Sequence, residues 1–346
     1  MRAPRSSAPP QAPETGASRL VLGRVHVTGS FWYRIHLFGV RTMPEWAHVV
    51  CIALFTGFFF CVLLRIRAAI ASNLEVVLGP CGWPQKQRRI WKTLHEFGWC
   101  LTERYERLGT AKEFTDSPEG REHWERLVAA PGGFILATAH VGHWESGSLL
   151  PAGRQDRPVH LVREEEGDPE AQELIRGLVE RHQGSRFRTH FAREDPSLGV
   201  TLLDALRRGD VVALQADRPR AGGRSLQARL FGRPYALPRG PFALARAAGV
   251  PILPAIVLRT GRRASRPIFG EPFLVHGAGE KALEDGARRF ARPLAEAIRE
   301  APHQWFCFRH LWPAGSAAGI LPGADASGGE DRSRLTHDEA VQCERS

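Results

Sequence analysis

The sequence predicts an α/β fold: a mostly parallel central sheet flanked by helices, preceded by an N-terminal hydrophobic helix. Three observations predict it. Short apolar runs without polar alternation recur at Phe134 to Ala139, Pro158 to Val162, Val211 to Gln215 and Pro251 to Leu258, as strands buried on both faces require. Stretches of helical periodicity lie between and after them, the arrangement that gives parallel crossovers. Finally, Trp46 to Leu64 carries no formal charge apart from the titratable His48.

In chain order, residues 1 to about 20 are rich in Pro, Ser, Ala and Arg without periodicity, and are expected to be disordered. The apolar stretch follows, with Phe55, Phe58, Phe59 and Phe60 inside it. Nineteen helical residues span roughly 28 Å, close to the hydrocarbon thickness of a bilayer, so a membrane anchor within residues 40–66 is expected. It starts too late for a signal peptide, and arginines on both sides leave orientation and the choice between spanning and half-inserted open. Beyond Pro84 a long helix keeps Ile90, Leu94, Phe97, Leu101, Tyr105 and Leu108 on one face, a pattern for core packing.

Pro131-Gly-Gly punctuates the start of the 134–139 strand, and Gly142 follows its end. Helices are expected at Pro169 to Gly184, Leu198 to Arg208, Phe242 to Ala248 with Pro241 in the first turn, and Lys281 to Glu300. The last of these aligns Leu283, Ala287, Phe290, Leu294 and Ile298. Past Trp312 the chain turns to Gly, Ala, Ser and Asp, so residues 314–346 are expected to be disordered.

The net charge of +10 suits an anionic membrane surface or an acidic protein partner. Three tyrosines and no basic–aromatic stripe argue against nucleic acid. Six cysteines without a C-x-x-C pair read as reduced thiols rather than a disulfide framework.

The chemistry concentrates at His140-Val-Gly-His-Trp-Glu145. His140 leaves the carboxyl end of a buried strand, the edge at which open α/β sheets place their sites. Five positions apart on a regular helix, His140 and Glu145 would diverge, whereas a loop folds them together. A carboxylate on one ring nitrogen fixes the tautomer and leaves the other nitrogen to take a proton. No Gly-x-Ser-x-Gly elbow supplies an enzyme nucleophile, so the hydroxyl to be deprotonated belongs to a substrate. A structural histidine is the bland alternative. A metal site from His140, His143 and Glu145 finds no H-E-x-x-H helix, and no metal is expected. Arg163 leaves the next strand. Asp217 and Arg218 follow the third, ahead of a Gly-Gly loop with further arginines, a polar lip suited to an anionic group. Residues 201–240 hold eight arginines against three aspartates, which favours an acidic partner or a lipid headgroup.

The H-x4-E block resembles that of the bacterial lipid A biosynthesis acyltransferases, where it typically reads His-Phe-Gly-Asn-Trp-Glu; here Val141 and His143 differ. Further segments resemble the same family in order: Arg65 to Leu74 with the following helix, Gln215-Ala-Asp217 for its D-Q-D loop, Phe231-Gly232-Arg233-Pro234 with Pro238-Arg-Gly, Pro254, and Pro302-His-Gln-Trp305 to Arg309. The resemblance covers roughly residues 40 to 313 and implies an acyltransferase domain over 67–313. It implies transfer of an acyl group from an acyl carrier protein or coenzyme A thioester to a hydroxyl of a glycolipid such as a lipid A precursor, with no other cofactor. His140 would be the base and Glu145 its orienter. Arg163, Asp217, Arg218, Gly232 and Arg233 would bind substrate, at the inner membrane with the site facing the cytoplasm. Other lipid acceptors, a thioesterase-like hydrolase and a catalytically inactive surface protein are the competing readings.

Overall fold

The computed structural model describes residues 21–22, 25–26, 30–110, 112–144, 157–164, 168–183, 186–191, 197–220 and 222–312. The expectations for residues 1–20 and 314–346 lie outside these, as does Glu145.

A two-residue pair, β1 (Val21–Leu22) and β2 (Val25–His26), precedes four helices: α1 (Ser30–Thr42), α2 (Glu45–Val62), α3 (Leu64–Leu78) and α4 (Trp83–Gly109). The apolar stretch forms a single helix, α2, narrower than the expected 40–66. Pro44 caps the start of α2, and Leu63, at φ −92° and ψ 57°, breaks it from α3. Then come β3 (Thr115–Asp116), α5 (Arg121–Ala129), β4 (Phe134–Thr138), β5 (Val159–Arg163), α6 (Pro169–Gln183) and β6 (Phe187–Phe191). The remainder is α7 (Leu198–Arg208), β7 (Val211–Gln215), β8 (Ser225–Leu230), β9 (Arg233–Pro238), α8 (Arg239–Ala248), β10 (Ile252–Gly261), β11 (Ala264–Phe269) and α9 (Gly279–Glu300).

Seven strands form one mixed sheet in the order β3-β11-β10-β4-β7-β5-β6. All its neighbours are parallel except the β10–β11 hairpin. This is the expected α/β class. β4 is buried at every position and lies at the centre, with Leu136 opposite Ala213 on β7 and Leu253 on β10. The apolar core divides across the sheet. One face packs Ile135, Val212 and Ile256 against α7, α8 and α9 through Leu206, Phe242 and Phe290. The other packs Leu136, Ala213 and Leu253 against α1, α4 and α6 through Leu37, Tyr105 and Ile175.

The segment from Ser225 to Pro238 is an antiparallel hairpin. Leu226, Ala228 and Leu230 are buried in alternation with exposed Ser225, Gln227 and Arg229. Phe231 and Gly232, at φ 53° and 76°, form its two-residue turn, the conformation that matches strand twist.

Candidate active site

His140 follows the end of β4, and Asp217 lies two residues past β7, the adjacent strand. Thr138 is in register with Gln215, and the Ala216 N–H donates to the Thr138 carbonyl at 2.8 Å, so the two chain ends leave the sheet together. His140 Nδ1 lies 2.8 Å from Asp217 Oδ1. Asp217 is buried, and burial works against its charged form. The His140 imidazole, with a hydrogen bond from it, and the Arg218 guanidinium outweigh this and hold the carboxyl down to about 2. An ionised carboxylate only accepts, so Nδ1 carries the hydrogen and Nε2 is left as the ring's basic atom.

The loop after His140 is fixed from two directions. Gly142 donates to the Gln304 carbonyl and His143 to the Val257 carbonyl, at 2.9 and 2.8 Å. Phe306 donates to the His140 carbonyl at 3.0 Å, and Gln304 pairs its amide with both backbone groups of Arg259. Gly142 has φ 58°, and a Cβ there would overlap the Val257 carbonyl oxygen. Only glycine fits between β10 and the closing segment. Those bonds also answer a chemical question. The N–H groups of Val141, Gly142, His143 and Trp144 all donate to backbone carbonyls, so none of these four described amides is spare for an oxyanion.

The amides at the start of α8 are few as well. Arg239 donates to the Arg224 carbonyl and Pro241 has no N–H, which leaves Gly240 alone of the first three residues.

The other predicted residues separate. Arg218 donates from Nη1 to the Phe306 carbonyl at 3.3 Å, beside the histidine–aspartate pair. Arg163 ends β5, beyond β7 from His140 and so roughly 10 Å away across two strand spacings. Gly232 and Arg233 serve the hairpin turn, where Arg229 Nη1 donates to the Gly232 carbonyl. Among the described residues no contact ties either to His140. What the hairpin does contribute is Tyr235, whose hydroxyl donates to the Asp217 carbonyl at 2.6 Å. Burial and the nearby Asp217 charge push that phenol upward, so it stays a donor.

His143 does not join a metal set. Its Nε2 lies 3.2 Å from Glu103 Oε2 on α4. Glu103 in turn accepts from Arg259 Nε at 2.9 Å and from the Arg263 N–H at 2.9 Å, pinning the β10–β11 turn to α4. Close by, Glu45, His48 and Glu106 bring ligand-type atoms together, but Arg262, Arg263 and Lys112 already match both carboxylates. That is a half-buried ion-pair network, its carboxylates already matched by cations.

Asn73 on α3 anchors the segment after Trp305. Its Nδ2 donates to the carbonyls of Cys307 and Arg309 at 3.2 and 2.8 Å, and its Oδ1 accepts from Leu311 at 3.2 Å. Phe97, Trp144, Phe306 and Phe308 gather beside this segment, Phe97 stacking on Trp144 at 5.5 Å.

Comparison with known proteins agrees with this architecture. Phosphatidylinositol mannoside acyltransferases of Mycobacterium tuberculosis, from strains CDC 1551 / Oshkosh and H37Rv, are each 26% identical over 302 residues, covering 83% of this chain and 90% of theirs. The sequence model of the bacterial lipid A biosynthesis acyltransferases matches residues 19–313, a span that takes in every described element from β1 to the segment after α9. The chain belongs to the bacterial lipid A biosynthesis acyltransferase family and is an acyltransferase.

Proposed function

We propose that this chain is a membrane-associated O-acyltransferase that moves a fatty acyl group from a thioester to a hydroxyl of a glycolipid, with His140 as general base and Asp217 as the carboxylate that orients it. The observation that carries the reading is the 2.8 Å contact between His140 Nδ1 and a buried, ionised Asp217 at the carboxyl end of the sheet. Nε2 takes the proton of the acceptor hydroxyl as its oxygen attacks the thioester carbonyl. The tetrahedral oxyanion collapses, the carbon–sulfur bond breaks, and the proton on Nε2 passes to the departing thiolate. Asp217 stabilises the imidazolium in between. Glu145, given the orienting role by the family resemblance, is tested against Asp217 below.

The amides of residues 141–144 are already engaged, and the oxyanion is assigned to a side-chain donor. Arg218, held by the Phe306 carbonyl beside the pair, is assigned that role, with Arg163 further along the edge meeting an anionic group of donor or acceptor. The basic balance suits an acidic acyl carrier protein as donor, with coenzyme A the alternative. A lipid A precursor and a phosphatidylinositol mannoside share the acceptor chemistry: a sugar hydroxyl on an anionic lipid. The reading sets the enzyme on the bacterial inner membrane with its site towards the cytoplasm, the source of both thioesters.

Purified protein, wild type and His140→Ala, is incubated with each thioester. Lipid A precursor, phosphatidylinositol mannoside, a lysophospholipid or no acceptor is supplied, and products are followed by mass spectrometry. The proposal expects acyl transfer that requires both an acceptor and His140. Free fatty acid formed without an acceptor would replace it with a hydrolase.

A further inference from the structure

The N-terminal helices leave a broad apolar surface uncovered. On α1, Phe31, Ile35 and Phe38 recur at helical spacing and are exposed, while Leu37 and Val40 turn inwards. On α2 only Ala47, His48, Ile52 and Thr56 are buried. Trp46, Leu54, Phe55 and Phe58 face outwards, the first two 70% and 68% exposed. Patches of this extent on a folded chain mark an interaction surface.

Charge says which. Between Ser30 and Leu74 there are four arginines and a single acidic residue, Glu45, which Lys112, Arg262 and Arg263 already neutralise. Arg65 stands exposed where α2 gives way to α3, and Arg88 and Lys92 are exposed on α4 near Trp83 and Trp91. Apolar side chains bordered by tryptophans and cations, with no uncompensated anion, match the boundary of an anionic bilayer. A second copy would oppose arginine to arginine.

The packing decides the manner of attachment. α2 lies antiparallel along α4 for its whole length: His48 is 3.8 Å from Glu106, Thr56 Oγ1 is 3.4 Å from His95, and the Phe60 and Trp91 rings are 5.6 Å apart. Were α2 to cross a bilayer, α4 would go with it, carrying Glu96, Glu103 and Glu106 and the arginines of the β10–β11 turn to hydrocarbon depth. α2 has the length and composition of a span, yet its partner forbids one.

We propose that α1 and α2 form an in-plane platform that docks the enzyme on one leaflet of an anionic membrane without crossing it. This rests on the acyltransferase reading only in that the platform serves it. Phe308, which packs with Phe60 against Ile70, Leu74, Ile90 and Leu94, is two residues from the Phe306 amide that holds His140, so the docked face runs on into the site. An acyl chain reaches the base sideways from the leaflet.

The test uses the full chain and vesicles of phosphatidylglycerol and phosphatidylcholine, with sedimentation as the readout. Binding is expected to require the anionic lipid and to weaken when NaCl is raised. The Phe55→Glu/Phe58→Glu variant is expected to bind at least tenfold less while unfolding at the wild-type temperature and acylating a detergent-dispersed acceptor at the wild-type rate. Depth is read from a nitroxide at Trp46→Cys or Leu54→Cys, with Cys51, Cys61, Cys81 and Cys343 replaced by Ser. Both labels are expected just beneath the headgroups, on the order of 5–10 Å. Leu54 at the bilayer centre with Trp46 at the headgroups would make α2 a span and overturn the proposal. Undiminished vesicle binding by the double variant, with or without dissociation of a wild-type dimer in light scattering, would overturn it too. Failure of the acyltransferase reading shows separately, as absence of transfer by protein that still binds vesicles.

Discussion

Replacing Asp217 by Asn changes one atom in a buried contact and tests the chemistry directly. The carboxyl is held at about 2 against an ordinary 3.8. At 1.36 kcal/mol per unit that is a net preference of about 2 kcal/mol for the ionised form, left after burial has been outweighed by the positive groups, His140 first among them. Losing the counter-charge of the imidazolium by itself slows the reaction. Asn also offers an amide N–H where Nδ1 needs an acceptor, which favours the tautomer with its hydrogen on Nε2 and removes the base, raising the expected loss to about 10²–10⁴-fold in kcat. The assay is acceptor-dependent acyl transfer by mass spectrometry across pH, with unfolding temperature measured in parallel. The same depressed carboxyl makes a stability claim: its contribution is present above the unfolded value near 4 and is lost as pH falls towards 2, and Asn abolishes that dependence. A loss under threefold from folded Asp217→Asn, or a larger loss from Glu145→Gln than from Asp217→Asn, would refute the assignment.

Other expectations follow from the same geometry. Gly142→Ala forces a Cβ against the Val257 carbonyl and to 2.8 Å from Gln304 Oε1 at a positive φ, so a loss of about 2–4 kcal/mol is expected in denaturant titration. Asn73→Ala strands two carbonyls and one N–H of the segment after Trp305; about 3 kcal/mol of destabilisation is expected, with faster proteolysis at Arg309. His36 and His303 are both pushed down to about 4, His36 by burial before the neighbouring His48 and Arg104, His303 by burial before Lys92 and the arginines near it. The unfolded chain takes up protons first as pH falls from 6.5 towards 4, so the urea midpoint is expected to drop over that window, and less so in His36→Gln.

How much of this was legible in the sequence depends on the signal each element carries. β4, β7 and α7 were readable because a buried parallel strand is apolar at every position and Gly209 ends the helix before Val211. β8 carries an alternation of Leu226, Ala228 and Leu230 with polar neighbours, but the arginines and glycines on either side mask so short a signal. α5 buries no residue and therefore shows no apolar face to find. In the site, His140 was legible from its place at a strand end. Asp217 is legible for the same reason, as a polar residue at a strand end that the family resemblance makes substrate-binding. Its partnership with His140 depends on β4 and β7 being neighbours, although 73 residues separate Thr138 from the start of β7, and strand order is a property of packing that no local pattern records. Tyr235 and Gln304 were invisible as site residues, because each acts through backbone atoms of residues far off in sequence.

The strap formed by Gln304 and Phe306 across the loop after His140 has a consequence for how the enzyme is made. Synthesis delivers the apolar helices first, the histidine near the middle, and the residues that fix it only after α9. Contacts separated by some 160 residues form late, since a long loop must close before they return any free energy. A nascent chain can therefore reach a lipid surface before it can perform chemistry there, and the ribosome completes the enzyme where its substrate already is.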